Sequence, residues 1–72
     1  MSNAAVTSLL AGYRARLQTD LDQLLAAVDK LATIRTPAAR SGLVVAQHGV
    51  ATTRARLEWI SDAERQLTGG VI

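Results

Sequence analysis

Few side chains in this sequence could carry chemistry. His48 is the only histidine and there is no cysteine, so thiolate nucleophiles, thiolate metal sites and disulfides are excluded. A zinc site built on one imidazole needs carboxylates one turn away on the same helical face. The positions around His48 hold Val44, Val45, Ala51 and Thr52 instead. Asp20 and Asp22 are two apart and point to different sides of a helix. Glu58, Asp62 and Arg65 share a helical face, and the pattern reads as a solvated ion-pair network. Gly69-Gly70 lies at the end of the chain and opens no helix, so it makes no phosphate-cradling loop. With no nucleophile–base pair, metal set or cofactor motif, the residues predict a non-enzymatic protein with no cofactor. Trp59 is the residue to single out, because Trp is favoured at interface hot spots. It reads either as packing within a homo-oligomer or as the anchor for a different protein.

The elements that position these residues follow from 72 positions, 49% of them apolar, with Tyr13 and Trp59 the only aromatics. Alanine and leucine dominate, which favours helices over sheet. One signal divides the chain: Thr36 is a good N-cap, Pro37 is favoured at the first helical position, and the residue before a proline is pushed out of the α region. This predicts one all-α domain over 1–72, an antiparallel two-helix hairpin with a first helix over about 5–35, a turn at 35–37 and a second helix over about 37–68. The competing reading is one continuous helix kinked at Pro37. Asn3, Thr7 and Ser8 are candidate caps for the first helix, and Gly69-Gly70 ends the second. Val71 and Ile72 follow as a short apolar tail. Leu10, Leu17, Leu21, Leu24, Val28 and Leu31 form a heptad-like seam with a gap at Arg14. In the second helix the seam reads Leu43, Ala46, Val50, Thr53, Leu57, Ile60, Glu64, Leu67.

The two helices are not equivalent. At about 100° per residue the first helix is apolar on one half only, whereas the second carries more apolar surface behind its seam. Val44, Val45, His48, Ala55, Trp59 and Ala63 lie there, with Trp59 about 140° from the seam centre. One neighbour cannot cover both surfaces. The sequence therefore predicts a homodimeric four-helix bundle in which second helices meet and first helices lie outside. His48 would sit in that contact, and its protonation would loosen it. Gly42 and Gly49, each costing ~1 kcal/mol in a helix, imply close approach of another helix, or for Gly49 a break. A turn centred on Thr36 sets positions summing to 73 opposite each other, placing Arg14 and Arg16 near Glu58 and Asp62, and Asp20 and Asp22 near Arg54. Arg14 and Glu64, both on the seam, either pair with each other, within the hairpin or across the dimer, or are wet.

The net charge of +2 neither demands nor excludes nucleic acid. No apolar run reaches the ~18 residues of a membrane span, and Met1-Ser2-Asn3 has no basic leader, which suits a cytoplasmic protein. The first functional expectation is a small protein-interaction module that binds itself and another protein: an adaptor, inhibitor or assembly factor. Short Ala/Arg-rich chains without catalytic groups are common in bacterial and phage genomes, where they often bind a larger protein. In topology and length the expected architecture resembles the Rop-type antiparallel hairpin dimer, which binds paired RNA across its outer helices. The resemblance covers topology and length only, and no motif is shared, so no residue is carried over. An RNA- or DNA-binding reading would draw its phosphate contacts from Arg40, Arg54 and Arg65, or from Arg14 and Arg16. Acidic residues interrupt both sets, and no aromatic stacking surface accompanies them. A third reading is a structural piece of a larger assembly; the initiating methionine and terminal Gly-Gly point instead to a complete short product.

Overall fold

The computed structural model describes residues 2–69. Two helices make up the described chain: α1 over Asn3–Ala32 and α2 over Pro37–Leu67. Ser2 is extended and its hydroxyl accepts from the backbone N–H of Ala5 at 3.1 Å, capping α1. None of the three expected caps serves; the first helix starts two residues earlier than the pattern predicts and ends three earlier. It stops where Thr33 donates its hydroxyl to the Lys30 carbonyl at 2.8 Å, and the Thr33 and Ile34 amides close tight turns onto Lys30 and Leu31. Thr36 is extended, its hydroxyl accepts from Ala39 N–H at 3.1 Å, and Pro37 opens α2. The chain is thus interrupted before Pro37 rather than kinked at it. Four residues, 33–36, reverse its direction. At the far end Thr68 caps α2 by donating both its amide and its hydroxyl to the Glu64 carbonyl at 3.0 Å, and Gly69 follows in the left-handed region at φ 88°. A glycine there meets no Cβ penalty. The apolar tail at Val71 and Ile72 lies outside the described residues.

The helices pack along their seams. Leu10, Leu17 and Ile60 form a buried cluster, with Ile60 fully enclosed, and Val6, Tyr13, Leu57, Ala63 and Leu67 close around it. Leu21, Ala39, Ala46, Val50 and Thr53 continue the buried strip toward the turn. Small residues of α2 receive the leucines of α1. A Cβ placed on Gly42 would lie 3.4 Å from Leu31 Cδ1, and one on Gly49 would lie 3.0 Å from Leu24 Cδ2. Gly49 therefore admits a leucine knob and does not break the helix. Both contacts join positions summing to 73, the expected register.

The charges are arranged otherwise than expected. Arg14 reaches about one turn beyond its opposite level, where its guanidinium donates to Ser61 Oγ at 3.0 Å and pairs with Glu64. That fills the seam gap in α1 with the one acidic residue on the α2 seam. Among the described residues the only other ion pair is Asp62–Arg65, one turn apart on α2. The expected pairings of Arg14 and Arg16 with Glu58 and Asp62, and of Asp20 and Asp22 with Arg54, are not formed. Long exposed side chains gain too little from Coulomb attraction in water to be held together.

Candidate functional site

Four large apolar side chains in the helices remain largely in solvent: Leu9 at 60% exposure, Val44 at 61%, Val45 at 71% and Trp59 at 59%. Burying such a side chain is worth roughly 1.5–3 kcal/mol, so a chain with a core this narrow leaves much stabilisation unused. Their positions follow from helix geometry. Trp59 precedes Ile60, and successive residues turn by about 100°, so a buried Ile60 holds Trp59 at the edge of the helix–helix contact. That edge faces α1. Trp59 forms one side of an open groove with Leu9, Gly12, Tyr13 and Arg16, floored by Leu10. Gly12 leaves a gap in the α1 wall, and a Cβ there would meet nothing within 4 Å.

The apolar surface behind the α2 seam is thus divided. Trp59 shares a flank with α1. Thr52 and Val45, at steps of seven residues, lie on the same side of α2 and carry that flank toward the turn. Thr52 is half-buried and its hydroxyl donates to the Gly49 carbonyl at 3.1 Å. Val44, His48 and Ala55 are exposed on the outer side of α2, away from α1. Ala63 is partly buried and packs against the Leu10–Leu17–Ile60 cluster, so much of its surface is already used within the hairpin. Leu9, Gly12 and Tyr13 were not singled out by the sequence. The signal that could have found them is a glycine in the interior of α1 with no seam role.

The opposite flank is polar. Arg14, Ser61 and Glu64 satisfy one another there, and Gln18 donates to Asp22 at 3.2 Å. Arg40, Arg54 and Arg65 are exposed on one side of α2, and Arg65 is engaged by Asp62. A second groove at the turn is lined by Leu31, Ile34, Arg35, Pro37, Arg40 and Leu43. Among the described residues no group of three or more His, Cys, Asp or Glu side chains could hold a metal ion, and no helix is long and apolar enough to cross a membrane.

Fold and surface together define an antiparallel helical hairpin with Leu9 and Trp59 exposed on one flank and the Arg14–Ser61–Glu64 cluster on the other. No protein-family model, curated protein or solved structure matches the chain.

Proposed function

We propose that this chain is a small non-enzymatic interaction module, an adaptor, inhibitor or assembly factor, that acts as a homodimer of hairpins forming a four-helix bundle. The observation that carries the reading is the set of exposed apolar side chains, Leu9, Val44, Val45 and Trp59, on a hairpin whose one fully buried large side chain among the described residues is Ile60. Of these, Leu9 and Trp59 border one groove, and contiguous exposed apolar surface marks interaction sites. Trp59 is the centre of the proposed contact because a half-exposed indole over an open groove offers the largest area still to be buried.

The test combines sedimentation of the purified chain with affinity capture from its host, using Trp59→Ala as the comparison. Dimer formation by the parent and its loss in Trp59→Ala support self-association through the indole. A variant that stays dimeric but loses a captured protein places Trp59 in a contact with that protein. A parent monomeric across the concentration range, capturing nothing, refutes the proposal.

A second reading, RNA or DNA binding, is favoured by one observation: Arg40, Arg54 and Arg65 are exposed within about 40° of each other around α2. Phosphate contacts of that kind make binding strongly salt-dependent. Absence of any mobility shift with bulk RNA or DNA at low salt would dispose of it.

A further inference from the structure

Self-association alone does not choose between the faces of the hairpin. We infer that the second copy seats on the Leu9–Gly12–Tyr13–Trp59 flank, with the two-fold axis running along the hairpin, so that Trp59 of each protomer covers Gly12 of the other. The inference rests on the proposed self-association and specifies its geometry.

The occupant follows first from area. A compact monomer of 7.6 kDa exposes about 4300 Å². This chain exposes 5250 Å², an excess close to the ~800 Å² that one partner contributes to a standard interface. The hairpin extends 50 × 22 × 15 Å, so either of its broad faces can supply a footprint of that size. A second copy of the same flat object is large enough to cover that area.

The choice of face follows from chemistry. On the other flank Arg14, Ser61 and Glu64 are bonded to one another and Gln18 to Asp22, with Arg40 and Arg54 exposed on the same side, and covering it would strip water from charges for little return. The Trp59 flank presents an aromatic ridge and Leu9 beside an unfilled groove. The half-buried Thr52 hydroxyl is already bonded to the Gly49 carbonyl at 3.1 Å, so covering it strands no donor there, and the Tyr13 phenol and the Ser8 and Arg16 side chains of the same groove must find partners or water in the contact.

Gly12 supplies the register. A glycine inside a helix costs ~1 kcal/mol relative to alanine. Gly42 and Gly49 offset that cost by receiving Leu31 and Leu24, whereas Gly12 receives nothing from its own chain. A two-fold axis parallel to the helices lays α2 of one copy over α1 of the other and keeps every level opposite itself. Trp59 stands at the level of Gly12 and Tyr13 in its own hairpin, so it meets the same residues of the partner from above. Knob and hole then belong to one patch, as an isologous contact requires. Arg16 lines the same groove as Leu9 and Gly12, and in the contact its stem would lie under the partner while its charged end reaches out to water.

The test is a glutamine at Gly12. Gln is a better helix former than Gly, and in the lone hairpin a side chain there has open space. The expected Gly12→Gln protein keeps its helical circular dichroism, its dimer dissociation constant rises by roughly tenfold or more, and Trp59 emission moves to longer wavelength. Leu9→Gln, on the same rim, is expected to act likewise, and Val44→Gln on the outer side of α2 is expected to leave the dimer intact. A dimeric parent unaffected by Gly12→Gln and Leu9→Gln overturns the inference while leaving self-association standing, and loss of the dimer in Val44→Gln alone moves the contact to the outer side of α2. A parent that stays monomeric to about 100 µM removes both the inference and the reading beneath it.

Discussion

Gly42 and Gly49 are both interior to α2, yet the same change to alanine is expected to affect them differently. At Gly42 the new methyl would lie 3.4 and 3.8 Å from the two Leu31 methyls, ordinary contact distances. The helix gains ~1 kcal/mol of propensity at no packing cost, and Tm rises by about 4–8 °C for a domain of this size. At Gly49 the methyl would lie 3.0 and 3.2 Å from the Leu24 methyls and 3.7 Å from Cγ. The propensity gain is the same, but overpacking costs about 1–3 kcal/mol. The obstructing atoms are the ends of a half-buried leucine, which can withdraw by a few tenths of an ångström, so the lower end of that range applies. The two terms cancel, and Gly49→Ala is expected to leave stability unchanged within about 0.5 kcal/mol. Thermal and urea unfolding followed by circular dichroism at one fixed protein concentration measure the difference between the two variants. Repeating Gly49→Ala in a Leu24→Ala background should restore the full gain, a coupling of about 1 kcal/mol. Equal stabilisation at both glycines, or no coupling to Leu24, would refute the knob-and-hole account of the hairpin.

Other perturbations separate the remaining contacts. Ile60→Ala empties the one fully enclosed large side chain; it should cost about 2–5 kcal/mol and leave the chain largely unfolded at room temperature by circular dichroism. Arg14→Met removes the bonds to Ser61 and Glu64; these side chains are partly exposed, so urea midpoints should show a loss of about 1 kcal/mol, smaller in high salt. Thr36→Ala removes the cap accepted from Ala39; thermal melts should register about 1 kcal/mol.

The parts of the fold legible in the sequence are those fixed by local chemistry. Thr36 and Pro37 can do little but end one helix and begin another, and the leucines of α1 recur at spacings only a helix brings onto one stripe. The register was legible because a short turn leaves the helices little freedom to slide, and Leu24 on Gly49 and Leu31 on Gly42 obey it. What was hidden depends on two helices at once. A wheel drawn for α2 alone puts Trp59 with Val44 and His48 on a rear surface, but packing brings α1 alongside and makes the indole one wall of a groove shared with Leu9 and Tyr13. The same wheel assigns Ala63 to that surface, although its small side chain is drawn into the Ile60 cluster. The ion pairs were illegible for a different reason. Opposite charges at one level do not choose a partner unless packing holds their stems, which happens for Arg14 on the seam and not for the exposed Arg16 and Arg54.

The four-residue turn has a kinetic consequence. Contacts beside it join residues close in sequence, such as Leu31 and Gly42, and closing so short a loop costs little entropy. At the open end Arg14 and Glu64 are 50 residues apart, and their contact is cheap only after everything between has zipped. Folding should start at Thr36–Pro37 and finish at the open end, so substitutions near the turn slow folding while those near Ile60 and Glu64 mainly hasten unfolding. Trp59 stands at the end that closes last and opens first. A second copy gripping it there would act as a clasp, slowing the loss of the native hairpin more than it speeds its formation.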